Sequence, residues 1–569
     1  MLGVRGMAPQ DIRCPRDAPI ARQSARPTTR GGIHLAKISN RGAAWPHVRV
    51  GASALTTHRD QRTSAPVVVT GLLALMFAAL VLYGTRNGPV LGLDSATYLS
   101  GARNLADGRG YLGFDLRPTT LFPPGFSATL AVGRWLGIDP VDGARWLNAT
   151  ALGGLCILTF VLARRHTRHR WSPVITAAAV GSMPAVFGVF TSVWSEPVFC
   201  VLVVGLLLLL EPILLRNGRR PGLLVAAGAL ASIGVVYRYA GFTLIASGLV
   251  VVCIASWPDG QRAMARRAGL FLFTGVAAPL ILVAWNATRG GALGPRHASA
   301  QTPPGLLRDF TATLRGWVVD PGRASAGVGY GLLILALAVV AAGATMLART
   351  RAREPGALRR FLPIVAFLAV YVAYIIASEF ETALDPVGNR LLAPIIAPVA
   401  VLVTLSLESF VTAPRPGPKM VRVGLVTVLV AGWFGGSLIT SVDHARTSAP
   451  ARNGYAASWW TGSDLVAAVR GLPRGATIFS NNASGLYLAT NIQPVYGSPT
   501  WAIYRSGDAA PPLSTFRSRL QTTRGPIYLA WERIIGDTWD VTPQQLQRAG
   551  VRLTPIVQAK IGTIYAMAP

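Results

Sequence analysis

The chain has 569 residues, of which 51% are hydrophobic and only 14% charged, with a mean hydropathy of +0.42. Soluble domains carry about 25% charged residues, and here long charge-free runs alternate with short arginine clusters, a pattern that excludes a soluble enzyme and reads as a polytopic membrane protein. The formal net charge of +30 does not mark a nucleic-acid binder, because the arginines lie between apolar runs and no base-stacking module accompanies them.

Residues 1–65 are rich in Arg, Pro, Ser, Thr and Gly without an apolar period, which reads as a disordered basic tail. No secretory signal is expected, since the first long apolar run begins only near Pro66. Eleven apolar runs follow, at 66–83, 147–163, 173–191, 197–215, 222–237, 240–256, 268–285, 328–347, 361–377, 391–410 and 423–441. The predicted architecture is therefore mainly α, a multi-span membrane core over 66–441 with a long first loop, 84–146. Basic clusters fall in alternate linkers: Arg164-Arg165-His166-Thr167-Arg168-His169-Arg170; Arg216 with Arg219 and Arg220; Arg262 with Arg266 and Arg267; Arg349, Arg351, Arg353, Arg359 and Arg360; and Arg415, Lys419 and Arg422. With eleven spans they share a face with the N-terminus, and the positive-inside rule makes that face cytoplasmic. Loops 84–146, 192–196, 286–327 and 378–390 then face outward. Basic residues on the inner face would also meet anionic lipid head groups.

Beyond the last run, residues 442–569 mix polar and apolar positions. Strand-like segments at Ala476–Ser480, Pro526–Trp531 and Thr563–Met567 alternate with helical patterns at Ser463–Arg470 and Pro543–Ala549. This predicts a small α/β domain, placed outside the membrane by the odd number of spans. Four cysteines, Cys14, Cys156, Cys200 and Cys253, give neither a disulfide framework nor metal-ligand spacing.

Polar residues in the outward loops are the candidates for chemistry. Asp94 opens a stretch too polar to cross a bilayer, Leu93–Phe126, which closes on Pro123-Pro124-Gly125. A carboxylate at the membrane face can serve as a general base, or cap the helix that Ser-Ala-Thr-Tyr suggests. Glu196 follows Trp194-Ser195 in a very short outward turn, where an acid beside hydrocarbon is costly unless paired, although a helix N-terminus also favours it. Arg238, in Val-Tyr-Arg-Tyr-Ala-Gly, breaks the positive-inside pattern; it suits a lipid phosphate, or snorkels to the interface beside two tyrosines. The loop Ser378–Arg390 supplies Glu379, Glu381, Asp385 and Arg390, consistent with a phosphate ligand or with an Asp385–Arg390 ion pair. Arg296, His297, Arg308 and Arg315 lie in the 286–327 loop, where their spacing specifies nothing. No Walker-type loop, HExxH or nucleophile elbow is present, so neither an ATP-driven nor a hydrolytic reading is supported.

Several short motifs occur together. Asp94 with Tyr98, then Ala102, Leu105 and Gly108 before Gly110-Tyr111, then Phe122-Pro123-Pro124-Gly125, resemble the first outward loop of GT-C glycosyltransferases. Ala144-Arg145 with Leu147-Asn148, Ser195-Glu196-Pro197, Arg238-Tyr239-Ala240-Gly241, and Asn389-Arg390-Leu391 with Pro394 follow in the family's order, over about residues 66–410. The branch is similar to the protein-mannosyltransferases and aminoarabinose transferases that use polyprenyl-phosphate sugars. The resemblance implies Asp94 as catalytic base, Arg238 and Arg390 as binders of the donor phosphate, and Tyr98, Glu196, Tyr239 and Asp385 as substrate contacts. It implies an inverting transfer from a polyprenyl-phosphate sugar, among membrane lipids, to a glycan, lipid or protein acceptor on the outer face of the cell membrane. No nucleotide cofactor is implied, and no metal is supported. Ser95 stands where many relatives carry a second acid, and Leu121 and Phe122 stand where some aminoarabinose transferases carry an acidic-basic pair.

A transporter or lipid flippase would share the spans and the charges, but would favour internal repeats and polar groups near mid-bilayer. A non-catalytic envelope-assembly protein would dispense with Asp94. The orientation has a direct check: a reporter fused after Arg360 reads cytoplasmic and one fused after Ser441 reads external, and the reverse pattern removes the outward site.

Overall fold

Seventeen α-helices precede the first strand of a small sheet in the computed structural model, which describes residues 57–289, 299, 301–320, 322–351, 358–382, 385–412, 419–450, 452–499, 513–534 and 540–568. The expected tail lies almost wholly outside the described residues, as do Arg296, His297, Arg353 and Arg415. The end of that tail is helical, because α1 (Thr57–Gly84) begins before the first apolar run.

The long first loop is not irregular. It holds α2 (Leu93–Ala106) and α3 (Gly125–Trp135), and α4 (Pro140–His166) starts within it, where the Asp139 carboxylate accepts from the Val141 N–H at 2.8 Å and caps the helix. Then come α5 (Ser172–Ser182), α6 (Pro184–Phe190), α7 (Glu196–Leu215), α8 (Pro221–Tyr237), α9 (Phe242–Ser256) and α10 (Gln261–Ala287). The amphipathic α11 (Pro303–Val318) fills a linker expected to be loop, and α12 (Ala326–Arg351), α13 (Leu362–Glu381), α14 (Asn389–Thr412) and α15 (Lys419–Ser448) complete the bundle. Proline opens α4, α5, α6, α7, α8 and α13, where its missing N–H costs nothing.

All eleven expected apolar runs fall on helices. Nine helical segments among the described residues are long and apolar enough to cross a membrane, ten if the bent pair α5–α6 is one span. Pro221–Tyr237 is the short one; at about 1.5 Å per residue it reaches about 25 Å, less than a hydrocarbon core of about 30 Å. The 57° bend between α5 and α6 follows from Pro184, which cannot donate into the helical ladder. The Ser182 carbonyl beside the break accepts from the Ser441 hydroxyl of α15 at 2.8 Å, so that carbonyl is satisfied within an apolar layer.

The chain's alternation gathers the C-terminal ends of α1, α6, α8, α13 and α15 with the N-terminal ends of α4, α7 and α14 beneath α2 and α3. The arginine clusters lie at the opposite end. There Glu408 of α14 accepts from the backbone N–H groups of Arg168 and His169 at 2.8 Å each, and Arg165 pairs with Glu211 at 3.2 Å.

After α15 come α16 (Ser458–Thr461), α17 (Asp464–Arg470), β1 (Thr477–Ser480), α18 (Ala483–Thr490), β2 (Val495–Gly497), α19 (Leu513–Thr522), β3 (Ile527–Glu532), α20 (Pro543–Arg548), β4 (Arg552–Gln558) and β5 (Gly562–Ala568). The strand order is β2-β1-β3-β5-β4, with β1 parallel to β2 and β3, and β5 antiparallel to β3 and β4. Alternation along the strands feeds two cores: Ile478 and Ala530 pack with Leu465, Val466 and Leu486 on one face, Phe479 and Leu529 with Phe516, Leu520 and Leu546 on the other. The three expected strands and two expected helices are present. β4 escaped because Pro555 interrupts it, which an edge strand tolerates, and β2 is only three residues long.

Two close approaches brace the site end. A Cβ on Gly125 would lie 2.6 Å from the Val236 carbonyl oxygen, so the Pro-Pro-Gly turn seats α3 directly on the end of α8. A Cβ on Gly241 would lie 2.2 Å from the Gly234 carbonyl carbon. Gly241→Ala therefore forces backbone to move, at a cost of about 1–3 kcal/mol. It lowers the melting temperature in detergent, whereas Gly432→Ala, which meets nothing within 4 Å, leaves it near wild type. Equal melting of the two variants contradicts the packing.

Candidate active site

α2 starts at Leu93 after an extended Gly92, and its first turn carries Asp94. The Ser95 hydroxyl accepts from the Gly92 N–H at 3.0 Å and donates to the Val193 carbonyl at 3.2 Å, which pins the helix start to the turn before α7. Val90 and Ser192 form a parallel bridge alongside. Asp94 does not cap its own helix: no side chain caps α2, and the Asp94 carboxylate instead accepts from Nη2 of Arg390, the second residue of α14. Ser95 thus does structural duty.

Glu196 is the first residue of α7 and is wholly buried. Its Oε1 takes two guanidinium groups, Arg390 Nε at 2.5 Å and Arg238 Nη1 at 2.6 Å. Arg238 follows α8 in extended conformation, and its Nη1 also donates to the Ser195 hydroxyl at 3.1 Å. Ser195 lies 3.1 Å from the hydroxyl of the buried Tyr98, whose ring packs on Phe122 and Phe126 at centroid distances of 4.9 and 5.1 Å. Arg390 completes its contacts with Asp385 at 3.2 Å and stacks its guanidinium 4.7 Å from the ring centre of Trp194. Asp385 is 74% exposed and forms the rim.

Asp94, Glu196, Arg238, Arg390, Tyr98 and Asp385 thus meet in one connected cluster. Tyr239 does not: its hydroxyl donates to the Thr120 carbonyl at 2.7 Å and accepts from Asn286 Nδ2 at 2.8 Å, tying the first loop to α10. Glu379 is buried on the adjoining α13 and its carbonyl accepts from Ser299. Arg308 is 80% exposed and 3.6 Å from Asp309, and Arg315 stacks on Tyr330, so neither enters the cluster. Trp194 and Ser195 do, and only their adjacency to Glu196 hinted at it.

Electrostatically the site pairs two acids, the buried Glu196 and the half-buried Asp94, with two guanidinium cations. Burial pushes the Asp94 carboxyl above the ordinary carboxylate range, although the Arg390 guanidinium pulls it down. Burial likewise pushes the Tyr98 hydroxyl up, so it stays protonated. Two buried polar atoms, Glu196 Oε2 and Arg238 Nε, have no hydrogen-bond partner among the described residues. A buried unspent arginine donor is an invitation to an oxyanion. Among the described residues no three His, Cys, Asp or Glu side chains converge as metal ligands.

The ion pairs differ sharply in setting, and their loss ranks accordingly. Glu196→Ala takes the carboxylate partner from the buried Arg238 and one of three from Arg390, and costs about 3–5 kcal/mol, whereas Asp385→Ala, at the exposed rim, costs about 0–1 kcal/mol. Thermal unfolding in nanodiscs checks the order; equal losses contradict the assignment of Glu196 as the buried anchor.

No family model matches this sequence, and no curated protein sequence matches it. Solved structures do. ArnT from Cupriavidus metallidurans in the apo state aligns over 87% of this chain and 97% of its own, at 13% identity and a TM-score of 0.56. The same protein bound to undecaprenyl phosphate aligns over the same shares at 12% identity and a TM-score of 0.52. The archaeal oligosaccharyltransferase AglB from Archaeoglobus fulgidus aligns over 84% of this chain and 70% of its own, at 12% identity and a TM-score of 0.47. The polytopic bundle with its C-terminal sheet thus shares the fold of the similar ArnT.

Proposed function

We propose that the protein is an inverting glycosyltransferase that moves a sugar from a polyprenyl-phosphate donor to an acceptor at the outer membrane face. The observation that carries this reading is the cluster of Asp94, Arg390, Glu196 and Arg238 at one end of an apolar bundle. The outward assignment is supported by the arginine clusters at the opposite end, and the donor class by the undecaprenyl phosphate bound to the similar ArnT.

In this mechanism the lipid tail lies along the spans and its phosphate reaches Arg390 and Arg238, whose Nε is unspent. Phosphate binding competes for Arg390 and releases Asp94 from its ion pair. Asp94 then takes the proton of the acceptor's nucleophilic group as that group attacks the anomeric carbon from the face opposite the phosphate. The bond from the anomeric carbon to the phosphate oxygen breaks, and its electron pair stays on the lipid phosphate. The guanidinium groups neutralise the charge as it develops, which is electrostatic stabilisation of the leaving group. A single displacement inverts the anomeric configuration. Glu196, wholly buried, holds both arginines in register. Asp385 at the rim contacts sugar or acceptor, while Tyr98 from α2 and Tyr239 from the turn after α8, through its hydrogen bond to the Thr120 carbonyl, shape the substrate site. No nucleotide takes part, because the activated bond arrives with the lipid.

The raised pKa makes Asp94 a stronger base than an exposed carboxylate. Its sign for stability is the reverse of the usual acid: this group's contribution is full below the unfolded pKa and is lost as pH rises through the folded one. Activity runs the other way, since the base must be ionised.

Transfer of labelled sugar from a synthetic polyprenyl-phosphate donor tests the proposal. Asp94→Asn lowers transfer by about 10²–10⁴-fold while retaining donor binding. The acid limb of the wild-type rate lies above the ordinary aspartate pKa of about 3.9. Equal transfer by wild type and Asp94→Asn overturns the assignment.

A further inference from the structure

The segment between α15 and the sheet carries a feature that the transfer chemistry does not use. A cavity of about 490 Å³ is lined by Pro450, Arg452, Asn453, Gly454, Ser458 and Trp459. Trp459 is 62% exposed, whereas its neighbour Trp460 is fully buried and donates its indole N–H to the Gly485 carbonyl at 3.0 Å. One tryptophan therefore holds the fold while the next offers its ring outward. Arg452 and Ser458 are exposed beside Trp459, and Asn453 is half-buried. The cavity thus combines one aromatic face with a rim of accessible polar side chains.

The cavity is fastened to the catalytic helix. Leu91 and Gly454 form a parallel bridge, with the Leu91 N–H donating to the Asn453 carbonyl at 3.4 Å and the Tyr455 N–H donating to the Leu91 carbonyl at 2.9 Å. Gly454 has φ +63, and a Cβ there would lie 2.2 Å from the Leu91 carbonyl oxygen, so glycine is required for the contact. Asp94 is three residues beyond Leu91, no more than about 11 Å of extended chain.

We propose that this cavity is the acceptor subsite and that it takes a sugar ring of a glycan, stacked on Trp459 and hydrogen-bonded by Arg452, Asn453 and Ser458. This rests on the glycosyltransferase reading and names the acceptor class. Sugar rings present polarised C–H groups on a face that suits the negative face of an indole ring, and hydroxyls at the edge that suit a polar rim. A tryptophan that only anchors the protein at the membrane interface needs no such rim of open side chains.

The full-length protein in nanodiscs, applied to an array of synthetic linear oligosaccharides of neutral and acidic sugars, tests the subsite. Wild type retains at least one oligosaccharide; Trp459→Ala weakens that retention about tenfold, Trp459→Phe by less, and Arg452→Gln lowers it with the fold intact by thermal melting. Transfer is assayed separately, so saccharide binding is read apart from it. Failure of Asp94→Asn to lose transfer strikes the enzymatic reading alone. Retention of no oligosaccharide by wild type, or equal retention by Trp459→Ala, overturns the subsite. Reduced nanodisc incorporation of Trp459→Ala with unchanged saccharide binding also overturns it and makes Trp459 an interfacial anchor.

Discussion

The site depends on one buried carboxylate. Glu196 is fully enclosed at the start of α7, yet it accepts from two guanidinium groups that arrive from α14 and from the end of α8. Taking such charges out of water costs several kcal/mol per ion, and only close pairing with further hydrogen bonds recovers it. The helix termini contribute. Asp94 and Glu196 lie in the first turns of α2 and α7, where the macrodipole favours an anion. Arg390 stands second in α14, where the same dipole disfavours a cation. Its position is tolerable because Asp94, Glu196 and Asp385 surround it. An arginine held against its own helix dipole by three acids is poised to exchange one of them for a stronger anion.

The rest of the molecule keeps that cluster aligned. Backbone bridges run from Val90 to Ser192 and from Leu91 to Gly454, so the approach to α2 is held on one side by the membrane bundle and on the other by the C-terminal segment. Farther along α2, Arg103 donates to the Tyr487 hydroxyl at 2.9 Å and to Asn491 at 2.8 Å, both in or beside α18. Phe114 stacks on Tyr487 with ring centres 5.7 Å apart. The helix that carries Asp94 is therefore clamped along its length, which is what a general base needs if its geometry is to be set before substrate arrives.

Much of this was legible in the sequence, because membrane burial writes itself into composition. Each apolar run fell on a helix, and the arginine clusters gathered at one end of the bundle. The acids and arginines that broke the pattern, Glu196, Arg238 and Arg390, proved to be one cluster, since charges placed beside hydrocarbon must find one another. What composition could not reveal was the pairing itself. Whether Asp94 capped α2 or reached α14 depends on a contact across 296 positions of chain, and Tyr239 shares its motif with Arg238 yet points to Thr120. Helices α3 and α11 were hidden because loop-like residues such as Gly, Pro and Thr start or flank them, whereas the start of α2 was one of the two readings of Asp94. The role of Trp459 was invisible for a simpler reason: exposure cannot be read from a Trp-Trp pair.

In the proposed mechanism the guanidinium groups held by Glu196 form the phosphate cradle of the donor. A structure of the protein in nanodiscs with undecaprenyl phosphate bound tests it most directly. The account predicts the phosphate within hydrogen-bond distance of both Arg390 and Arg238, with Glu196 still joining them and the Asp94 carboxylate released toward the acceptor side. A phosphate bound elsewhere, with Arg390 still bridging Asp94 and Glu196, would contradict it.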